Sequence, residues 1–308
     1  MTADEILQQI ENQVKRIGSS QDKDYAFIKK YGVNFEGIET NELLNRFTKI
    51  LLGNMEVFFT HIGFNLSESV VISILPLNDI NAFATKAEDK YIVVLNSKLL
   101  ALISGWFELD ILGIRKLEDG NDHRFANFLE PVLEEYFNPL ASEALPVVQW
   151  EELSSLEWSI VYTRTLMCER FILAHELAHI YLGHVDSRNE PSMFWKTYYA
   201  QTENQAKEFE ADIQAFRWLQ SLPDDDLLPV KKNNLFMLYF EVFYILNYIE
   251  CNTRFPSENS DHPSAIARLN NLREEFAFEE LKLGDYSLDD MLENLKDIES
   301  FRINHTNN

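Results

Sequence analysis

Apolar residues recur at helical spacing over most of this chain and follow a strand-like pattern over one short stretch only. Residues Ala3 to about Ile17 read as an amphipathic helix, and so do those from Glu39 to about Leu52. Loops are expected between them, at Gly18-Ser19-Ser20-Gln21-Asp22 and Tyr31-Gly32-Val33-Asn34. After Met55 the texture changes. Ser69 to Leu77 is β-branched and reads as a strand; Ala82 to Thr85 and Tyr91 to Asn96 read as two more, joined by a polar turn around Ala87 to Lys90. A helix follows from Ser97, with Asn96 or Ser97 as its cap.

The next stretch, to about Glu152, is irregular. Arg124 to Tyr136 has a helical pattern, but Asn138-Pro139 and Leu145-Pro146 break the chain beyond it. Ser154 to Glu157 then forms a capping box, and an uninterrupted helix is expected from there to Gly183. A second amphipathic helix runs from Thr202 to about Leu222. The apolar run from Leu235 to Ile249 carries Glu241 and Asn247 and is shorter than the ~20 residues that span a bilayer, so a buried core helix is expected. A helix is expected to open at Asp261-His262-Pro263-Ser264, with Pro263 at its first position. The tail from Leu281 reads as acidic and helical. The fold class is α+β, mainly α.

Composition narrows the function. Hydrophobic residues make up 46% of 308, enough for a packed core. Lys plus Arg is 27 against 50 Asp plus Glu, a formal net charge of −23 that repels phosphate backbones and argues against nucleic-acid binding. The N-terminus has no basic start followed by an apolar run, so no signal peptide is expected. Cys168 and Cys251 match no metal or redox spacing and read as buried free thiols, suiting a reducing, cytoplasmic setting.

The candidate chemistry lies at the end of the long helix, in His175-Glu176-Leu177-Ala178-His179. Two histidines four apart share one helix face and can hold one zinc ion. Glu176 stands beside them as a candidate base for a water on that ion. A metzincin third ligand would need Gly at 182 and His at 185, where the chain has Leu182 and Val185. His184 falls about 100° round the helix from that position and reads as a solvent-facing or capping residue. The alternative third ligand is Glu208, with Asp212 one turn on as a partner for a liganding histidine's free N–H. Glu210 points to another face and ranks second.

With these residues the chain resembles the gluzincin metallopeptidases, and most closely the HtpX-like and CAAX prenyl endopeptidase group, as a soluble bacterial-type member. Three stretches carry the likeness: His175 to His179 with Glu208 to Asp212; Asn81-Ala82-Phe83-Ala84 followed by Tyr91 to Leu100; and His262-Pro263 with Arg268 six residues after the histidine. The resemblance implies a small sheet edge at Asn81, Ala82, Phe83 and Ala84 that pairs with an extended substrate, beside an active-site helix bundle. It also implies that His262 and Arg268 border the active site, where they could assist the oxyanion.

The expected organisation is one metallopeptidase domain over 1–308: N-terminal helices (1–54), sheet and substrate edge (55–104), an insertion (105–153), zinc-site helices (154–222) and a C-terminal helical region (223–308). The expected function is a zinc-dependent endopeptidase acting on a protein or peptide substrate, with one Zn2+ per chain, Glu176 as base and no membrane span. The alternative is a catalytically quiet zinc-binding regulator of the same fold; an intact Glu176 weighs against it.

Overall fold

The computed structural model describes residues 1–9, 69–75, 82–96, 99–100, 103–108, 110–111, 153–185, 203–221, 239–247, 263–276, 282–283, 286–287, 289–290 and 293. Three strands form one sheet: β1 (Val70–Leu75), β2 (Ala82–Lys86) and β3 (Tyr91–Asn96). Among the described residues, α1 (Ser155–Tyr181), α2 (Glu203–Ser221) and α3 (Ala265–Phe276) follow. The architecture is α+β and mainly helical, as its hydrophobic periodicity predicts.

In the sheet the order is β1-β3-β2. β2 and β3 form the expected antiparallel hairpin, with Ala82 opposite Leu95 and Lys86 opposite Tyr91, whereas β1 runs parallel to β3. The alternation of side chains divides β3 between two apolar clusters. Val93 and Leu95, with Ala82 and Ala84 of β2, join the main core that contains α1. Ile92 and Val94 pack instead with Ala3 and Ile6 of the N-terminal helical residues 3–9. Both faces of β3 are therefore covered, which is why its central residues are uniformly apolar. β2 lies at an edge among the described strands.

α1 starts where the capping box places it. The Ser154 hydroxyl accepts from the Glu157 N–H, and the Glu157 carboxylate accepts from the Ser154 N–H at 2.7 Å. From Thr165 onward most of its residues are buried, because it lies between the sheet, α2 and the helical residues 239–247. Phe171 meets Phe243 edge-on at 5.3 Å, and Phe216 of α2 stacks on Phe240 at 5.4 Å. Each fully buried phenyl ring contributes about 1.5–3 kcal/mol. Within this apolar region Arg164 of α1 holds Glu241 through Nε (2.9 Å) and Nη2 (3.0 Å), and also reaches Asp110. Among the described residues no helix is long and apolar enough to cross a membrane.

Two sequence expectations need correction. Pro263 precedes the helix it was expected to open. Ser264 is the cap, its hydroxyl accepting from the Ala267 N–H at 3.2 Å, and the helix begins at Ala265. The chain after Leu281 is not simply helical: β4 (Lys282–Leu283) pairs antiparallel with β5 (Tyr286–Ser287). Leu283 opposite Tyr286 leaves two residues between the strands, and Gly284-Asp285 is a two-residue hairpin signal that outweighs the acidic, helix-like composition around it. The helices expected at 39–52 and 124–136, and Cys251, lie outside the described residues, as does most of the 105–153 segment.

Candidate metal centre

The helix pair α1 and α2 brings together residues separated by about thirty positions in the chain. His175 and His179 lie one turn apart near the end of α1, and Glu208 and Asp212 one turn apart on α2; all four are buried. Their ligand atoms converge. His175 Nε2 is 3.1 Å from His179 Nε2 and 3.2 Å from a Glu208 oxygen, and His179 Nε2 is 3.4 Å from the other Glu208 oxygen. This buried His-His-Glu group could hold a metal ion.

The donor set fits one closely. Zinc with ligands at about 2.0–2.1 Å in a tetrahedron separates neighbouring ligand atoms by about 3.3 Å. The three observed contacts, in which the two histidines meet different oxygens of Glu208, bracket that spacing. Three lone-pair donors facing one another at such distances also require positive charge among them, supplied either by a proton on His175 or by a cation.

The outward nitrogens determine which tautomers the two histidines hold. His175 Nδ1 lies 2.8 Å from Asp212 Oδ1; an ionised carboxylate only accepts, so Nδ1–H donates and Nε2 is the nitrogen that an ion would take. Asp212 is itself gripped by Arg268, whose Nε donates to Oδ2 at 2.8 Å and whose Nη2 donates to Oδ1 at 2.6 Å. The guanidinium lies 5.3 Å over the Phe243 ring. Burial works against charge on Asp212, but Arg268 and then His175 outweigh it and hold its carboxyl below the usual range. Burial likewise opposes charge on His175, yet Asp212 and the Glu208 hydrogen bond push that imidazole up to about 10, against the smaller opposing effect of Arg268. A metal ion must displace this proton to bind.

Behind His179 stands a different partner. α1 ends at Leu182, and Gly183 takes a positive φ of 72°. The Gly183 N–H donates to the Ile180 carbonyl (3.0 Å) and the His184 N–H to the His179 carbonyl (2.9 Å), the paired bonds of a Schellman cap. This cap folds the His184 ring back against His179, with their Nδ1 atoms 3.0 Å apart. His184 Nε2 then meets Glu210 Oε2 at 3.1 Å. Burial, and next the neighbouring His179, hold the His184 imidazole below its ordinary pKa.

Of the residues singled out in the sequence, His175, Glu176, His179, Glu208, Asp212 and Arg268 gather within this helical cluster. Arg268, expected beside the oxyanion, spends Nε and Nη2 on Asp212. Ala82, Phe83 and Ala84 lie on β2, which contacts α1. Asn81 and His262 lie outside the described residues. His184, expected to face solvent or cap the helix, is buried against His179, and Glu210, ranked second as third ligand, instead meets His184. The available signal was Gly183: a glycine ending a helix sets the second residue beyond the cap against the last turn, and here that residue is a histidine and the last turn holds His179.

The two helices thus present two histidines and a glutamate from the interior as a group able to hold a metal ion. The Peptidase U49 family model matches residues 134–287, half of the chain, and the chain belongs to that family of peptidases. The match contains α1, α2 and α3 and every residue of the cluster; the three-stranded sheet lies upstream of it. No curated protein and no solved structure matches the chain.

Proposed function

We propose that the protein is a zinc-dependent endopeptidase of gluzincin type, a single metallopeptidase domain in which His175, His179 and Glu208 hold the ion. The observation that carries this reading is the convergence of His175 Nε2, His179 Nε2 and the Glu208 carboxylate, the nitrogens 3.1 Å apart and 3.2 and 3.4 Å from its two oxygens. Two histidines and one glutamate leave a tetrahedral site one further position. Zinc supplies Lewis acidity there, towards water and towards a carbonyl.

The chain's own residues do the remainder. Glu176 follows His175 on α1, takes the proton of the attacking water and passes it to the leaving amine. Asp212 holds His175 in the tautomer that frees Nε2, and Arg268 holds Asp212. Arg268 therefore acts as a positioning residue in this reading, leaving His262 as the candidate donor to the oxyanion. β2 is the candidate edge for an extended substrate: its position outside β3 supports pairing through main-chain hydrogen bonds, with Asn81, Ala82, Phe83 and Ala84 as the proposed edge residues. A substrate bound along an edge needs no free terminus, which favours internal cleavage of a protein. The buried free thiol of Cys168 is in keeping with a reducing, cytoplasmic location.

The test compares wild type with Glu176→Gln. The variant is expected to keep its zinc and to lose cleavage, read as the disappearance of new protein N-termini from cells expressing it. New N-termini persisting with purified Glu176→Gln would remove Glu176 from the mechanism.

A further inference from the structure

We propose that His184, backed by Glu210, is the positioning residue that fixes His179 as a metal ligand. The two liganding histidines are then oriented by unlike devices: an aspartate clamped by arginine behind His175, and a second histidine ending in a surface carboxylate behind His179. This role for His184 rests on the metal-site reading above.

Counting protons decides the direction of the bond. The two Nδ1 atoms are 3.0 Å apart, a hydrogen-bond distance that one proton satisfies and two do not. If the proton belongs to His184, that residue's Nε2 is bare and faces the Glu210 carboxylate at 3.1 Å, two acceptors in contact. His179 would also carry its own proton on Nε2, pointing into the triangle with His175 and Glu208, where it blocks a metal. If the proton belongs to His179, both contacts of the His184 ring are satisfied. His179 Nδ1–H donates to His184 Nδ1, His184 Nε2–H donates to Glu210 Oε2, and His179 Nε2 keeps its lone pair for the ion. Glu210 therefore selects the metal-competent tautomer of a residue it does not touch.

The fold supports the arrangement independently of any ion. The Schellman cap at Gly183 is made by backbone groups, so it holds His184 at His179 whatever the side chain. Leucine is an ordinary residue at this position of the cap, where an apolar side chain normally packs on the last turn. His184→Leu should thus fold and lose only the relay. His184→Asn keeps an oxygen where Nδ1 stood and should still accept from His179.

The test is Zn2+ affinity by chelator competition, with the Co2+ absorption spectrum as a second readout, on wild type, His184→Leu, His184→Asn and Glu208→Ala. His184→Leu is expected to bind Zn2+ about 10- to 100-fold more weakly with its unfolding midpoint preserved. His184→Asn is expected to recover most of that loss and a wild-type-like Co2+ spectrum. The inference is overturned if His184→Leu binds Zn2+ as tightly as wild type, or if His184→Asn is as weak as His184→Leu. Undiminished binding in Glu208→Ala would instead sink the metal-site reading, and this inference with it.

Discussion

Glu169 should make the protein less stable as pH rises, and Glu169→Gln should abolish that dependence. The side chain is buried on α1 at 3% exposure, and its Oε1 has no hydrogen-bond partner. Desolvation pushes its carboxyl from 4.5 up to about 8. The folded pKa is raised, so the native state binds more protons than the unfolded chain between these two values. Stability from this group is complete below pH 4.5 and is lost as pH climbs through the folded value. Each pH unit in that window costs about 1.4 kcal/mol, which gives roughly 3 kcal/mol by pH 7 and about 5 kcal/mol by pH 8. Glutamine matches the neutral carboxyl in size and does not titrate. Urea unfolding of both proteins at pH 5, 6, 7 and 8 measures the difference. Glu108 is pushed up to about 8 by burial, against the opposing Ser104 hydroxyl, but it is common to both proteins and cancels. The variant should gain on wild type with every pH unit. Parallel curves, or a variant less stable at pH 8, would refute a buried neutral Glu169.

Arg268→Gln removes the cation that holds the buried Asp212 and should cost about 3–5 kcal/mol in unfolding free energy, with Arg268→Lys falling between it and wild type. Equal stability of all three would show that the pair is dispensable. Gly183→Ala forces a β-carbon into a backbone with φ 72° and should cost roughly 1–2 kcal/mol, read as a lowered melting temperature. Cys168 is fully buried and burial pushes its thiol well above its ordinary pKa, so peptide mapping should find it unalkylated by iodoacetamide in the native protein and modified once unfolded.

Local signals carried much of this structure. The capping box at Ser154 and the glycine at 183 bound α1, and β-branched runs marked β1 and β3. The pattern of His175, His179, Glu208 and Asp212 placed all four on two helices. These features are local, with a period of 3.6 or 2 or a fixed cap spacing. What was not legible depends on how the elements meet. Arg268 lies 56 residues beyond Asp212, and nothing in its own helix shows that its guanidinium turns to that carboxylate rather than to a substrate. His184 was discounted because an ideal helix carries it off the metal face; the αL turn at Gly183 ends the helix and swings it back. The pairing of β4 with β5 was hidden by acidic composition, although Gly284-Asp285 between them is a hairpin signal in the sequence.

The central claim is that one zinc ion sits among His175, His179 and Glu208. Metal analysis of the purified protein against Glu208→Ala tests it most directly. One zinc per chain is expected in wild type and little or none in the variant, with both folded by circular dichroism. Zinc undiminished in Glu208→Ala, or absent from wild type purified without chelators and dialysed against zinc, would contradict it.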